Sequence, residues 1–270
     1  MAESFAHTVL GRTGLAVHRL GLSATYRPGK EVVHKALDVG INYFFAYGFD
    51  TQMTHVLRGA IGSQRDQYVI ATGAYNLVLG HPNLRRTLEK RLRQFGTDSI
   101  DIFLFLGVMK EKHFPERTRE ELCRLKETGK VRFVGISTHH RKLAGKLVAE
   151  GAVDVLMIRY NAAHRGAEEE IFPHTRPHDP GIVSYTATRW TYLLHRPRNW
   201  PAQGRIPTAG MCYRFVLSCP HVHVCLTAPS NLRQLQENIE AVRQGPLSED
   251  EMGFMRQFGD AVHASKRWFM

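Results

Sequence analysis

Short apolar runs alternate with longer amphipathic segments along most of the chain. The runs are continuously apolar, which is typical of strands in a parallel sheet that is covered on both faces. The segments between them repeat apolar residues at helical spacing, as in the stripe that runs from Leu84 to Phe95. The candidate strands are Arg19–Leu22, Tyr43–Phe45, Tyr68–Ala71, Ile102–Phe105, Val131–Ile136, Val155–Ile158, Ile182–Tyr185 and Val222–Leu226.

The candidate helices lie between these strands, and several of them are followed by glycine, the residue that commonly ends a helix. Strands that alternate with helices in this way predict an α/β fold, a (β/α)8 TIM barrel in one domain over residues 1–270. No Gly-x-Gly-x-x-Gly follows the first strand, so a Rossmann fold is disfavoured. The Pro-rich stretch His195–Pro207 is expected to form a loop over one end of the barrel. The candidate helices include Glu31–Val39, Thr54–Ile61, Leu84–Phe95, Arg117–Thr128, Leu143–Glu150 and Leu232–Ala241.

Composition limits the class of protein. Apolar residues make up 43% of the 270 residues, as in globular proteins, and no apolar run approaches the roughly 18 residues of a membrane span. The first residues lack the basic start and apolar core of a secretory signal. We therefore expect a cytoplasmic protein with no membrane partner.

The net charge of +11 indicates an attraction for anions. Basic residues concentrate on the polar face of Leu84–Phe95 and in His195–Pro201. The interleaved aromatic residues of nucleic-acid-binding motifs do not accompany them, so we expect a solvated surface and no nucleic-acid partner. The positive field favours a small anionic ligand, including a phosphorylated cofactor. A homo-oligomer stays open.

The four cysteines form no CxxC pair and predict reduced thiols. Cys219, His221, His223 and Cys225 alternate along an apparent strand, an arrangement that invites a metal interpretation. Because six residues of strand cover roughly 20 Å, these side chains cannot converge on one ion. We expect no metal site.

Several motifs, taken in order, point to a known family. They are Leu10-Gly-Arg-Thr-Gly-Leu-Ala-Val17, Gly40-Ile-Asn-Tyr-Phe-Phe-Ala-Tyr-Gly48, Ala71-Thr-Gly73, Phe103-Leu-Phe-Leu-Gly107 and Gly135-Ile-Ser137. Their ordered set resembles the aldo-keto reductases nearly end to end. The resemblance implies a TIM barrel whose floor is closed by an N-terminal β-hairpin, and reduction of carbonyl compounds with NADPH.

The resemblance also implies an altered catalytic site. In the family, a Tyr gives a proton to the carbonyl oxygen, a Lys–Asp pair activates that Tyr, and a His orients the substrate. Tyr47 matches the Tyr, whereas the Asp position is Phe45 or a deletion, and Gly73 and Leu106 stand where the Lys and His are expected. Because the Lys and the Asp are lost together, neither leaves an unpaired buried charge. This favours a site in which both positions changed together. The alternative is that Tyr47 only lines a cavity.

Other polar residues follow the ends of predicted strands and could replace the missing groups. His139 is the candidate for a new acid or base, because imidazole titrates near neutrality. Arg159 suits a carboxylate or phosphate on the substrate. The alternative for each is a solvated residue at the rim.

The resemblance further implies a bound NADP(H). Ser137 matches the serine that contacts the nicotinamide carboxamide, while Thr138 and Met157 replace its Asn and Gln partners. Tyr185 is expected to stack on the nicotinamide. The alternative for the adenine-side segment is an ordinary helix start with Ser230 as N-cap. The adenine-side candidates are Ser230, Asn231, Arg233, Gln234, Glu237 and Asn238.

Three functions stay open at this point. The favoured one is an NADP(H)-dependent oxidoreductase that uses Tyr47 or His139 on a small carbonyl compound. The second is a cofactor-independent lyase, isomerase or cyclase that binds an anion near Arg159. The third is a non-catalytic scaffold whose mouth is filled by Phe45 and Leu106.

Overall fold

The computed structural model describes residues 5–47, 51–62, 64–75 and 82–265. Eight parallel strands, β3 to β10, close into a barrel in chain order, with β10 pairing with both β9 and β3. The predicted (β/α)8 barrel is confirmed, and each predicted strand overlaps an observed one. The strands are β1 His7–Val9, β2 Ala16–His18, β3 Leu20–Ser23, β4 Tyr43–Phe45, β5 Val69–Tyr75, β6 Ile100–Val108, β7 Val131–Thr138, β8 Val155–Arg159, β9 Gly181–Tyr185 and β10 Val224–Thr227.

The helices surround the barrel. The helix predicted over Leu84–Phe95 has those bounds, because Asn83 caps its start and Gly96 ends it in a left-handed conformation. Helix α7, Ala209–Leu217, was not among the predicted segments; it is buried from Gly210 through Leu217, so it has no polar face to reveal a helical period. The α-helices are α1 Lys30–Asp38, α2 Gln52–Ala60, α3 Leu84–Phe95, α4 Glu116–Glu127, α5 Arg141–Ala149, α6 Ala167–Glu170, α7 Ala209–Leu217, α8 Leu232–Arg243 and α9 Glu249–Ser265.

The N-terminal hairpin closes the floor of the barrel, as the resemblance implies. Strands β1 and β2 pair antiparallel, and Leu10, Leu15 and Val17 join the apolar cluster of the barrel interior. The connection passes tightly beneath the start of β9, where the Arg12 N–H donates to the Asp179 carbonyl oxygen at 2.6 Å. The hairpin is thus packed into the barrel rather than attached to its surface.

Asp101, at the start of β6, is a fully paired carboxylate at this floor. Its side chain is 1% exposed and accepts hydrogen bonds from Arg65 at 2.7 Å and Arg132 at 2.9 Å. The Ile70 N–H donates a further bond to it at 2.8 Å. These donors balance the cost of burying the charge.

Asp154, just before β8, forms a second ion-pair centre at the floor. It accepts from Lys126 at 2.8 Å, from Arg12 of the hairpin at 3.0 Å and from the Val134 N–H at 3.0 Å. Burial acts to raise the pKa of Asp154, but these hydrogen bonds and charges hold it below its usual range. The hairpin is thereby tied to the barrel by charge as well as by apolar contact.

Side chains that face the barrel axis form an apolar cluster distinct from the one between strands and helices. Leu104 lies in this inner cluster, opposite Gly73 on β5 and Gly135 on β7. A Cβ atom at Gly73 would overlap with the carbonyl oxygen of Leu104. The neighbouring strand therefore occupies the space that a side chain at position 73 needs.

The segment from Cys219 to Cys225 differs from its prediction. Strand β10 begins at Val224, and the residues before it form a turn. Here His221 shares a hydrogen bond with Thr175 at 3.0 Å, and the Nδ1 atom of His223 accepts from the Ile182 N–H at 3.0 Å. The single-strand premise was wrong, because polar groups in the turn bond to neighbouring segments. No group of three or more possible metal ligands is found in the described part of the chain.

Within the described ranges, no helix combines the length and the apolar character that crossing a bilayer requires.

Candidate active site at the barrel mouth

A cavity of about 890 Å³ opens at the carboxyl ends of the barrel strands. It is lined by side chains at or just beyond several strand ends, including Ser23, Tyr47, Tyr75 and Leu106. It is also bounded by Ala228–Ser230 and the first turns of α8. This is the face on which the (β/α)8 fold carries its active sites.

Tyr47 follows β4 and is partly buried at this mouth. Its hydroxyl donates to the Oγ1 atom of Thr25 at 3.0 Å. Its ring lies 4.8 Å from that of Phe45 and 5.7 Å from that of Tyr75, measured between centroids. The hydroxyl is therefore oriented by a polar partner while the ring packs against aromatic neighbours. Gly48, the last residue of its motif, lies outside the described residues.

The positions that the resemblance assigns to the missing groups lie around Tyr47. Phe45 and Leu106 are buried and line the cavity without filling it. Gly73 lies between them in the sheet, where the overlap with Leu104 leaves no room for a side chain. No carboxylate or ammonium group projects from any of these three positions.

His139 follows β7 and contacts Tyr185 at the end of β9. Its Nε2 atom lies 3.2 Å from the Tyr185 hydroxyl, and the two rings meet edge to face. Burial, and then the charge of Arg159, lowers the pKa of His139 to about 4. The ring is thus neutral at pH 7, so it can hydrogen-bond a ligand but does not carry an imidazolium proton to donate.

Arg159 ends β8 and lies beside Tyr185 in the sheet register. Its Nη1 atom is buried without a hydrogen-bond partner among the described residues. Burial lowers the pKa of Arg159. Burial, and then the charges of Arg159 and Arg189, lowers the pKa of His164 to about 3. Arg159 itself is not among the residues that border the cavity, which begins at Tyr185 and His139.

Ser137 lines the centre of the cavity. Its Oγ atom accepts a hydrogen bond from the Gly107 N–H at 3.0 Å, which leaves its own proton available to a ligand. Thr138 is buried, and its hydroxyl donates to the Val108 carbonyl oxygen at 2.7 Å. Met157 borders the cavity with an apolar side chain. Ser137 is thus the polar group that this part of β7 and β8 offers.

Helix α8 is capped by Asn231. The Asn231 Oδ1 atom accepts from the Gln234 N–H at 3.0 Å, and the Gln234 side chain accepts from the Ser230 N–H at 2.9 Å. The alternative that placed the N-cap at Ser230 was therefore wrong by one residue. The asparagine turns toward its helix and does not border the cavity.

The other adenine-side candidates all border the cavity: Ser230, Arg233, Gln234, Glu237 and Asn238. Arg233 is 79% exposed and pairs with Glu237 at 3.4 Å. Asn238 is buried, and its Nδ2 atom donates to Thr227 at 3.1 Å. The segment therefore offers one exposed guanidinium, whereas its asparagines support the local backbone and core.

Comparison with known proteins agrees with this geometry. Residues 21–199 match the model of the aldo/keto reductase family. The chain belongs to the aldo/keto reductase family.

Curated relatives cover most of the chain at low identity. The oxidoreductase YqkF of Bacillus subtilis is 23% identical, over 90% of this chain and 93% of its own length. The L-galactose dehydrogenase of Arabidopsis thaliana is 23% identical, over 87% of each chain.

Solved structures of this family share the fold. The holo form of AKR11C1 from Bacillus halodurans superposes with a TM-score of 0.77 at 20% identity, covering 94% of this chain and 96% of that one. A Klebsiella pneumoniae aldo/keto reductase, solved in complex with NADP and acetate, gives 0.74 at 21% identity, with 94% and 95% covered.

The aromatic, hydroxyl and guanidinium groups that line the cavity fit the nicotinamide dinucleotide used by aldo/keto reductases. Tyr185 lines the cavity with an aromatic ring, and Ser137 lines it with a hydroxyl group. Arg233, in the first turn of the 12-residue helix α8, lines it with a guanidinium group. Guanidinium groups and helix N-termini are both suited to phosphate.

Sequence analysis missed three hydroxyl-bearing residues next to Tyr47: Ser23, Thr25 and Tyr75. Tyr75 lies two residues beyond Gly73 on β5, hence on the same face of the strand, and this spacing could have revealed it. The approach of Thr25 has no such signal, because it depends on how the chain turns after β3.

The wall opposite these residues was missed too. Trp190 and Thr191 line the cavity and adopt positive φ angles of 50° and 71°. Such strained backbone is concentrated at functional sites, but periodicity gives no sign of it.

Proposed function

We propose that this protein is an NADP(H)-dependent oxidoreductase that reduces a small carbonyl compound, with Tyr47 as the proton donor. The observation that carries the proposal is that one cavity at the barrel mouth is lined by Tyr47, by Tyr185 and by Arg233. A shared space of about 890 Å³ is of the size that proteins use for cofactor and substrate sites.

In this proposal, Tyr185 and Ser137 hold the nicotinamide end of the cofactor, and Arg233 holds a phosphate at the adenine end. When bound, the nicotinamide supplies the hydride that reduces the carbonyl carbon. The NADP found in the related Klebsiella pneumoniae structure supports this assignment of the ligand. Tyr47 would then point its hydroxyl at the carbonyl oxygen in place of Thr25, its present acceptor.

We assign the side of the mouth near Arg159 to an acidic group on the substrate. Arg159 has a buried nitrogen without a partner among the described residues, and Arg189 lies near it. An anion in this region would compensate charge that is otherwise costly to bury. His139, neutral at pH 7, borders the cavity within range of the charge of Arg159 and would donate or accept a hydrogen bond.

The two alternative functions predict different cavities. A non-catalytic scaffold calls for a filled mouth, whereas Phe45 and Leu106 only line an open one. A cofactor-independent enzyme calls for an adenine end without affinity for dinucleotides. Binding of NADPH therefore decides between the proposed oxidoreductase and the cofactor-independent enzyme.

The experiment is a fluorescence titration with NADPH and, in parallel, NADH. Arg233→Gln is compared with Arg243→Gln, since each arginine pairs with a glutamate on α8 but only Arg233 borders the cavity. We expect Arg233→Gln to raise the Kd for NADPH by on the order of tenfold, the worth of a charge-assisted hydrogen bond. Arg243→Gln should leave it unchanged. Wild-type protein that fails to bind NADPH at millimolar concentration would refute the proposal.

A further inference from the structure

Four hydroxyl groups form a continuous chain through Tyr47. The Tyr75 ring lies beside that of Tyr47, with centroids 5.7 Å apart at an angle of 50°, and the two hydroxyl groups face the same cavity closely enough to interact. Tyr47 donates to the Oγ1 atom of Thr25 at 3.0 Å, and this atom lies 2.7 Å from the Oγ atom of Ser23. All four side chains line the cavity. The chain therefore crosses the mouth from the end of β5 to the end of β3.

The position of Tyr75 depends on Gly73. Both residues face the same side of β5, and the backbone of Leu104 excludes a side chain at position 73. Tyr75 reaches Tyr47 from the next inward-facing position, toward the open end of the barrel. A neutral hydroxyl thus approaches Tyr47 from the strand on which the family resemblance expects an ammonium group.

Tyr75 contacts Tyr47 on its buried side and the solvent on the other. Burial, the proximity of Tyr47 and the hydrogen bond to it raise the pKa of Tyr75 to about 12, so Tyr75 stays protonated at neutral pH. Its residue surface is nevertheless 40% exposed. It can therefore donate to Tyr47 on one side and exchange its proton with water.

We propose that Tyr75 is a positioning residue that stabilises the deprotonated form of Tyr47 and returns a proton to it after each reduction. This inference rests on the proposed function. When Tyr47 donates, its O–H bond breaks, the proton bonds to the carbonyl oxygen of the substrate, and the electron pair stays on the Tyr47 oxygen. Tyr75 then gives its proton to Tyr47 and takes one from water. The electrons that reduce the carbonyl carbon come from the nicotinamide.

Thr25 and Ser23 complete the arrangement on the other side. Thr25 accepts from Tyr47 before reaction and can rotate its hydroxyl to donate to the oxygen once that proton has left. Hydroxyl donors stabilise a developing negative charge without requiring a buried cation and its counter-ion. The other titratable side chains that line the cavity are Tyr26, His139, Tyr185, Tyr213, Arg233 and Glu237.

The test is a pH titration of protein labelled with ¹³C at the tyrosine Cζ atoms, followed by NMR in wild type and in Tyr75→Phe. Phenylalanine keeps the ring that packs on Tyr47 and removes only the hydroxyl. Tyr68→Phe is the matched control, because Tyr68 directly precedes the opposite end of the same strand and does not border the cavity. Tyr47→Phe identifies the Tyr47 resonance.

We expect the Tyr47 resonance to titrate at a pH higher by about one unit in Tyr75→Phe, because its phenolate has lost a donor. The kcat for NADPH-dependent reduction should fall roughly tenfold with an unchanged KM. The alkaline limb of the pH profile of kcat should move to higher pH by about one unit, as the resonance does. Tyr68→Phe should change none of these. Thr25→Val should move the alkaline limb and the Tyr47 resonance in the same direction as Tyr75→Phe does, but by a smaller amount.

The outcomes separate this inference from the function on which it rests. An active wild type, with a Tyr47 resonance and an alkaline limb that Tyr75→Phe does not move, would overturn the role of Tyr75 alone. A wild type that neither binds nor oxidises NADPH would overturn the proposed function and, with it, the proton return.

Discussion

Two carboxylates at the floor of this barrel and two nitrogen-bearing side chains at its mouth differ in how fully they are partnered. At the floor, Asp101 and Asp154 each accept hydrogen bonds from two basic side chains and a backbone N–H. At the mouth, His139 and Arg159 each bury a nitrogen that has no partner among the described residues. Ion pairs at the floor stabilise the fold, whereas the unpartnered nitrogens at the mouth are available to hydrogen-bond a ligand.

The surroundings of Tyr47 differ from those of Arg159, because its polar partners carry no charge. Its neighbours on the barrel axis are apolar, and its polar partners Thr25 and Tyr75 are neutral hydroxyl groups. Neutral donors cost less to desolvate than an ammonium–carboxylate pair. Four substitutions or conditions test the contrast between the two ends.

The largest effect is expected at the floor, from Asp101→Asn. The amide leaves Arg65 and Arg132 without a counter-charge, and breaking a buried pair in this way costs about 3–5 kcal/mol in the free energy of unfolding. Urea denaturation measures the loss. Asp98→Asn, an exposed carboxamide substitution three residues earlier, should change stability by less than about 0.5 kcal/mol. Equal stabilities of the two variants would contradict a structural role for the floor charges.

Gly73→Ala should destabilise the barrel by about 1–3 kcal/mol, because the new methyl group overlaps with the Leu104 carbonyl oxygen and forces the strands apart. Gly59→Ala is the matched control, since nothing lies within 4 Å of a Cβ atom there and the residue is inside helix α2. That change should stabilise the protein by up to about 1 kcal/mol. Thermal denaturation measures the change in stability of each variant. A Gly73→Ala variant as stable as the wild type would show that a side chain fits at this position.

Acid should weaken the fold through its buried histidines. Burial lowers the pKa of His18 to about 4, so between pH 6.5 and 4 the unfolded chain binds a proton that the folded chain does not. Stability is therefore complete above pH 6.5 and falls with decreasing pH, by on the order of 2 kcal/mol at pH 5 from His18 alone. Urea midpoints between pH 7 and pH 5 check this. In His18→Gln the slope should flatten, and an unchanged slope would mean that other groups cause it.

The smallest effect on stability is expected from Arg159→Met. Removing a partly buried cation whose Nη1 atom has no partner among the described residues should leave the free energy of unfolding unchanged or raise it by up to about 1 kcal/mol. It should also raise the pKa of His139, whose second cause of depression is the charge of Arg159. Arg165→Met, which breaks a pair with Asp260 at 2.6 Å, should act in the opposite direction on stability. A large loss in Arg159→Met would indicate that Arg159 is structural.

The same contrast explains what sequence alone could predict. Strand β4 and helix α3 were located to the residue because a solid apolar run, a capping Asn83 and a terminal Gly96 are local signals. Helix α7 was not located, because its burial on every side removes the polar face that gives a helix its period.

The site divides in a similar way. Tyr47 was predicted from its motif, and Tyr185 and Arg233 lie on the cavity that contains it. The partners of Tyr47 were not predicted, because Thr25 and Tyr75 reach it through strand register and a turn, which depend on tertiary packing. The unpartnered nitrogen of Arg159 likewise exists only in the folded chain.

The most direct test of the central claim, that Tyr47 donates a proton at an NADPH-dependent reductase site, is kcat/KM for carbonyl reduction by Tyr47→Phe at saturating NADPH. We predict a fall of roughly 10²- to 10⁴-fold, the usual worth of a general acid, with NADPH affinity and melting temperature unchanged. Wild-type rates in Tyr47→Phe would contradict the account.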